Sequence, residues 1–509
     1  MGKFVTKKEF LQIKKDLRAE QKKIVLCHGV FDLVHPGHIL HFEQAKAMGD
    51  VLVVSITSEK YVRKGPGRPY FDDEMRLKFL EAIQYIDYVM LSEGFTVDDI
   101  VETVEPDIYV KGEEYKESYH DITGAITGEQ KLVEKHGGRI AFTYGQKYSS
   151  TKLINNALRG LPSEVKSYIS DFTQKYSMDD IRSYAEKIGT MKVLVIGEMI
   201  IDKYTYCFIQ GVLNKDRVYS ARMQKSECYW GGALATARHI AGFVKNVSFL
   251  SIGGNNTEIL ERAKDELSGE LGLDLIYSDK FPILEKQYFL TKNEKRDEYR
   301  KIFAVNNLPE IPEYGVEERQ NLLHRVKAVL QDYDMVVACD YGYGLFDRNI
   351  IEYLEKEAKC LAVKCFTDSS NIKPNLITKY QKLNYFLLDS AELHIIYTDY
   401  YETEKEKLQK LCKRLNAAGW VTRGSNGAYG IEQKGICECP AFTLVVQDTM
   451  GAENAFLAAA CLYAAVGAPI EIGTFIGNVA GALSANVVGN SKPINKIDVL
   501  RFASTLLNI

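Results

Sequence analysis

No stretch of this chain is long and apolar enough to span a bilayer as a helix; residues 455–466 come nearest, and they read as a short buried helix. There is no excess of basic charge: 64 Lys and Arg stand against 68 Asp and Glu, for a net charge of −4. That balance excludes a general nucleic-acid binder and leaves room for a local basic pocket. The ten cysteines contain no C-x-x-C pair, so they read as reduced core residues of a cytoplasmic protein. The first 22 residues carry charge where a secretory leader would carry an apolar core. They predict an amphipathic lead-in helix with Phe4, Phe10, Leu11 and Leu17 available for packing. Met1-Gly2 with Thr6 loosely fits a myristoylation pattern, which the basic helix makes unnecessary. What remains is a composition 46% hydrophobic and 26% charged over 509 residues, enough for two or three domains with full cores.

The most informative stretch is residues 24–41, I-V-L-C-H-G-V-F-D-L-V-H-P-G-H-I-L-H. Ile24 to Cys27 predict a buried strand, broken by Gly29. Pro36 and Gly37 mark a turn, after which Ile39, Phe42, Ala45 and Ala47 fall on one face of a helix. His35 and His38 thus sit where a strand turns into a helix, a place where backbone N–H groups and the positive helix end favour phosphate. Two imidazoles add donors that turn positive as charge builds on a phosphorus centre. The competing reading is a metal site, because His28, His35, His38 and His41 lie close together. No Cys or carboxylate cluster completes a coordination set, so no metal ligand is assigned. A purely structural turn gives the two His flanking Pro36-Gly37 no packing purpose, and His28 and His41 read as ordinary side chains.

This stretch resembles the nucleotidyltransferase superfamily with an H-x-G-H signature, here His35-Pro36-Gly37-His38. Gly29-Val30-Phe31-Asp32 precedes the signature and Ala45-Lys46 with Gly49-Asp50 follows it. Further on come Arg76 in Asp73-Glu74-Met75-Arg76, then Val110-Lys111-Gly112-Glu113-Glu114-Tyr115, then Tyr148-Ser149-Ser150-Thr151. Five elements in family order over roughly 130 residues carry the resemblance. It is nearest to the nucleotidyltransferase half of ADP-heptose synthases and to glycerol-phosphate cytidylyltransferases. It implies that His35 and His38 stabilise the transition state, with Lys46 and Arg76 on the triphosphate. It also implies that Gly29, Val30, Phe31, Lys111, Gly112 and Glu113 line the nucleotide, and that Ser149, Ser150 and Thr151 hold its phosphate tail. Mg²⁺ accompanies the nucleotide, and such enzymes are commonly homodimers. The loop Arg63-Lys64-Gly65-Pro66-Gly67-Arg68-Pro69 borders the acceptor in such enzymes, making Arg63 and Arg68 candidates for an acceptor phosphate. Lys64 reads equally as a solvated turn residue. Tyr144 stands where the cytidylyltransferases begin their last motif with an Arg, so both CTP and ATP stay open.

Apolar strands expected at 24–28, 51–56, 86–91, 107–111 and 139–143 alternate with helices at 38–48, 72–84, 96–104 and 128–136. This predicts an α/β, Rossmann-like parallel sheet over residues 1–155. Residues 156–190 read as a helical linker with pieces at 164–174 and 178–188. A second alternation begins near Met191. Lys192 to Gly197 is a strand followed by Glu198 and Asp202, and Gly231-Gly232-Ala233 opens a helix. Val336 to Asp340, Asn384 to Leu388 and Trp420 to Thr422 are further strands, and Asp448-Thr449-Met450-Gly451-Ala452-Glu453-Asn454 opens a long buried helix. Residues 191–509 resemble the ribokinase-like sugar kinases, an α/β/α fold, most closely the kinase half of ADP-heptose synthases with the two halves in reversed order. Several chemistry positions depart from that family. Its G-A-G-D motif ends in the Asp that serves as general base, whereas here the run is Gly451-Ala452-Glu453-Asn454, and an amide accepts no proton; such a loss costs ~10²–10⁴ in rate. Glu453 at the helix start would repel a phosphate charge at about 4 Å by roughly 4 kcal/mol. Ala235 replaces the Asn of the family's sugar-holding pattern.

The sequence therefore predicts a nucleotidyltransferase joining a sugar or polyol phosphate to CTP (or ATP) with release of pyrophosphate. The degenerate kinase site at Asp448, Gly451, Glu453 and Asn454 marks the second domain as a kinase relic. Neither nucleic acid nor membrane is an expected partner. Two alternatives are a working bifunctional kinase/nucleotidyltransferase of the ADP-heptose synthase type and a non-catalytic nucleotide-binding regulator.

Overall fold

The computed structural model describes residues 2–65, 68–112, 125–144, 161–213, 215, 218–293, 298–308, 314–367, 374–442 and 446–508. It divides into two compact units, Met1–Ile169 with Leu500–Ile509, and Ser170–Val499. Among the described residues no helix is long and apolar enough to cross a membrane.

The first unit is built on strands β1 (Lys3–Phe4), β2 (Ile24–Gly29), β3 (Val51–Thr57), β4 (Tyr88–Ser92), β5 (Ile108–Gly112) and β6 (Arg139–Thr143). They lie in the order β1-β4-β3-β2-β5-β6, with every pairing parallel. Helices α1 (Lys7–Ala19), α2 (Pro36–Lys46), α3 (Asp73–Glu81), α4 (Asp98–Val104) and α5 (Ala125–Lys135) cover both faces. Side chains alternate across a strand, so β2 sends Ile24 and Leu26 into a core shared with Phe10 of α1 and Ile100, Val101 and Val104 of α4. Its Val25 and Cys27 enter a second core with Phe42 and Ala45 of α2 and Leu80 of α3. Burial on both faces is why these strands read as unbroken apolar runs. The lead-in helix is shorter than the first 22 residues: Thr6 caps it in a capping box with Glu9, and Phe10 is its buried anchor. Phe4 and Leu11 stay exposed.

The strand order reverses at β2: the chain proceeds to β3 and β4 on one side and returns to β5 and β6 on the other. Such a switch leaves a crevice beyond the carboxyl ends of the two central strands. Here those ends are His28-Gly29 of β2 and Lys111-Gly112 of β5. One connection closes the unit from far downstream. Gly65, at φ +95°, lies against the buried ring of Phe502, where an added Cβ would come within 2.2 Å of Cδ2.

Helices Ser163–Lys175 and Met178–Ile188 stand where the bridging helices were expected. The second unit contains β7 (Lys192–Gly197), β8 (Met199–Val212), β9 (Tyr219–Gly231), β10 (Asn246–Gly254), β11 (Gly272–Tyr277), β12 (Leu284–Asn293), β13 (Glu298–Asn307), β14 (Met335–Asp340), β15 (Leu361–Cys365), β16 (Tyr385–Asp389), β17 (Ala418–Thr422), β18 (Ala428–Glu432) and β19 (Gly435–Cys439). Nine form one sheet, β11-β10-β7-β14-β15-β16-β17-β18-β19, parallel as far as β17 and antiparallel after it. The helix Ala452–Ala465 is buried almost throughout, as its composition predicts, and packs against Ile470–Ser484. A second sheet, β13-β12-β8-β9, has no counterpart in the sequence expectations. Most of β9 is exposed, so its sequence carries no burial pattern; the backbone ladder to β8 holds it.

Phe42 is fully buried between α2 and the sheet, 5.1 Å from the Phe31 ring. Phe42→Ala is expected to destabilise the first unit by about 3–5 kcal/mol, read as a lower urea midpoint.

Candidate active site

The joint between β2 and α2 is built around close contacts. His28, at the end of β2, is held through Nδ1 by Ser55 Oγ at 2.8 Å and through Nε2 by Thr57 Oγ1 at 3.3 Å. Phe31 turns the chain at φ +45°, an uncommon conformation for a bulky residue. Its ring passes 3.0 Å from where a Cβ on Gly29 would stand, so a side chain at position 29 would have to push the Phe31 ring aside. The same ring meets His38 edge-on at 5.2 Å. His35, extended at φ −137°, is the N-cap of α2, and Pro36 occupies the first turn, where no N–H is needed. His35 and His38 stack nearly parallel, with centroids 3.8 Å apart and planes 14° apart. Both imidazoles therefore stand together at the amino end of α2, as the sequence predicts.

The pocket keeps these rings neutral. Burial, and after it the neighbouring His35, His41 and Lys64, lower His38 to about 3. Burial also lowers His35. His28 falls to about 3 and His41 to about 4, by burial and then by Lys111. His41 Nδ1 lies 2.7 Å from Thr143 Oγ1. A site that disfavours positive charge on each histidine while gathering several basic groups is poised for an anion, whose arrival favours the protonated imidazole.

The basic loop is organised by Asp32, which is 2% exposed. Its Oδ1 accepts from the Tyr70 and Phe71 N–H groups at 2.6 and 3.1 Å, and its Oδ2 lies 3.3 Å from the Arg68 guanidinium. Arg63 stacks over the Phe95 ring at 3.8 Å. Lys64 is no solvated turn residue: it is half-buried, burial lowers its pKa against the pull of Asp32, and its charge is felt at His38. Lys111 is paired with Glu129 at 2.8 Å, both largely buried.

Two expected phosphate ligands stand elsewhere. Lys46 is the last residue of α2, and an eleven-residue helix puts it roughly 16 Å from the His35 end. Its ammonium pairs with Asp87 and donates to the Asp50 carbonyl, fixing the far end of the helix instead of a triphosphate. Arg76 is fully buried; it donates to the carbonyls of Val30 at 2.7 Å and Thr57 at 3.0 Å and pairs with Asp73. It thus holds the Gly29–Phe31 turn in place from behind. Glu113, Ser149, Ser150 and Thr151 lie outside the described residues. Tyr144, in place of the expected Arg, exchanges two hydrogen bonds with the Gln44 side chain through its backbone N–H and C=O.

In the second unit, Gly451 takes φ +83° at the start of the helix Ala452–Ala465. Asp448 accepts from Tyr204 Oη at 2.5 Å, Lys301 Nζ at 2.7 Å and the Gly489 N–H at 2.9 Å. Asn454 is buried. Glu453 does not present the bare negative charge expected of it: its carboxylate is paired with Lys364, a fully buried lysine of β15 that sequence reasoning passed over. A lysine inside an apolar strand is the signal that points to such a partner.

Residues 26–156 match the cytidylyltransferase-like family model. Bifunctional protein HldE of Desulfatibacillum aliphaticivorans is 37% identical over 148 residues, 28% of this chain and 29% of that protein. The HldE protein of Citrifermentans bemidjiense is 40% identical over 142 residues, 27% of each. The chain thus covers well under a third of the length of these relatives. The structure of Escherichia coli phosphofructokinase-2 with fructose-6-phosphate aligns with 62% of this chain and 99% of its own, at a TM-score of 0.50 and 13% identity, a likeness of fold alone. The chain is a two-part α/β protein with a nucleotide-binding type of crevice in its first unit. Residues 26–156 are thus similar to the cytidylyltransferase-like family, and 62% of the chain shares its fold, without sequence kinship, with phosphofructokinase-2.

Two outcomes follow from this geometry. Lys46→Ala is expected to lower the thermal midpoint slightly and leave nucleotide binding unchanged, because its ion pair is partly exposed. His28, His38, His41 and the buried His239, also lowered to about 3 by burial, take up protons near pH 6.5 when unfolded and only near 3–4 when folded. The unfolded chain binds more protons between those limits. Stability is accordingly full above pH 6.5 and falls steadily toward pH 4, which denaturant titrations at pH 7, 6 and 5 would register.

Proposed function

We propose that the first unit transfers a nucleotidyl group from CTP, with ATP as the alternative donor, to the phosphate of a sugar or polyol phosphate. The stacked His35–His38 pair at the start of α2, beyond the ends of β2 and β5, carries this reading. An acceptor phosphate oxygen attacks the α-phosphorus, the bond to the bridging oxygen of the β-phosphate breaks, and pyrophosphate leaves. The protein's part is positioning and charge stabilisation. His35 and His38 donate N–H groups to the oxygens on which charge develops, and of two rings so closely stacked only one is positively charged at a time. Arg76 positions the turn that lies beneath the nucleotide, while Arg63, Lys64 and Arg68 supply the basic border for the acceptor. Among the described residues no three His, Cys, Asp or Glu side chains converge as metal ligands. Mg²⁺ would accompany the triphosphate, held by its oxygens, and would offset their charge. Assembly as a homodimer is carried by family resemblance.

The second unit, in this reading, transfers no phosphate: Asn454 cannot take the proton of a sugar hydroxyl. A second reading, that both units are catalytic, is favoured by the printed name of the relatives, "bifunctional". Their match extends over less than a third of their length, so the name does not by itself bring a second activity to this chain.

Pyrophosphate release from CTP and ATP across a panel of sugar and polyol phosphates tests the first activity. His38→Ala is expected to lower turnover ~10²-fold or more with little change in thermal midpoint; near-normal turnover would refute the assignment. Arg76→Lys, which keeps the charge and loses the planar fork, is expected to lower stability and activity together. Sugar-dependent ADP release by the full chain, lost in Asp448→Asn, would establish the bifunctional reading in place of ours.

A further inference from the structure

β15 and the carboxyl end of β17 meet the first turn of the helix Ala452–Ala465 through Lys364 and Thr422, near the usual ligand position of a parallel sheet. A helix start carries N–H groups without intrahelical partners and the positive end of the dipole, and so attracts an anion. In this protein the first turn of that helix carries a negative side chain of its own, Glu453. Glu453, in the first turn, pairs with Lys364 of β15 through Oε2 and accepts from Thr422 Oγ1, at the end of β17, through Oε1 at 3.4 Å. Lys364 has no exposed surface, and its ammonium also lies 3.9 Å from Glu392 Oε2. Burial alone would lower its pKa, yet Glu453 and Glu392 hold it above its ordinary value. A lone ammonium or carboxylate in this position would be costly, so the two groups depend on each other.

The surrounding cations are engaged in the same way. Lys301 is bound to Asp448 at 2.7 Å and Lys379 to Asp340 at 2.5 Å. Arg423 is shared between Glu404 at 3.2 Å and Glu438 at 2.8 Å. Each of these positive side chains has a carboxylate from the same unit. An incoming polyphosphate would have to displace such a carboxylate before it gained a partner, and Glu453 would repel it as it did so.

We infer that the Glu453–Lys364 pair is a built-in stand-in for a nucleotide phosphate, and that the second unit takes up no nucleoside triphosphate. The inference deepens the reading that this unit transfers no phosphate, and rests on it. It goes further in assigning the loss to binding as well as to chemistry.

The test is equilibrium dialysis of the full chain with radiolabelled Mg-ATP and Mg-CTP, comparing the wild type with Glu453→Gly and Glu453→Gln. Glu453→Gly leaves Lys364 at the helix start without its main counter-charge. That variant is expected to bind one equivalent of nucleotide more than the wild type. Glu453→Gln keeps the side-chain volume and removes only the charge; it is expected to show the same extra equivalent at weaker affinity. Thermal midpoints confirm that each variant is folded, and if Glu453→Gly is not, Glu453→Gln decides. A wild-type chain that binds two equivalents overturns the inference. So does a folded variant that gains none. A second equivalent bound by the wild type without sugar-dependent ADP release would defeat this inference alone, whereas ADP release would defeat the reading beneath it as well.

Discussion

The carboxylate of Asp32 is the interaction on which the first unit's site depends. It sits just past the Gly29–Phe31 turn and gathers two backbone N–H groups and a guanidinium from a loop that begins some thirty residues later. Without it the basic loop would have no fixed distance from the histidines, because nothing in a Gly- and Pro-rich sequence prescribes one. A buried carboxylate is tolerable only when hydrogen-bonded and paired, and here the same bonds that satisfy it bring the two halves of the site together. Arg76 plays the complementary part from the other side, a buried cation satisfied by two carbonyls and Asp73.

Much of this was legible in the sequence, for physical reasons that can be named. Strands buried on both faces read as apolar runs, which is why β2, β3 and β5 fall close to their expected limits. The His35–His38 joint was legible because Pro and Gly punctuate the chain strongly. Roles that depend on direction were not. Lys46 has the residue type of a phosphate ligand and the right family register, yet a helix only three turns long carries it to the wrong end. For Lys64 the sequence left the solvated-turn reading open, because burial in a Gly- and Pro-rich loop leaves no periodic trace. The four-stranded sheet of the second unit escaped notice because β9 is exposed over most of its length while the first nine residues of β8 are almost all buried, and neither pattern shows the alternation by which half-buried strands are recognised.

On the reading proposed for the second unit, a fold outlasts a chemistry. Glycine positions such as Gly451, where an added Cβ would approach the Asn490 side chain to 2.1 Å, answer to backbone geometry, and that demand persists whatever the domain does. Charged positions answer to a ligand, and when that demand is gone they are free to answer to each other. The exchange is not neutral for later change, since a buried lysine resists loss of the half-exposed glutamate that neutralises it.

The contact between Gly65 and Phe502 has a consequence in time. The two residues belong to the same compact unit, but hundreds of positions separate them along the chain. At synthesis rates of roughly 5–20 residues per second, the basic loop waits for tens of seconds before the ring that covers Gly65 exists. The six-stranded sheet is complete long before then. On the ribosome the first unit therefore passes through a prolonged stage in which its sheet and histidine pair are in place while its basic loop still lacks its cover.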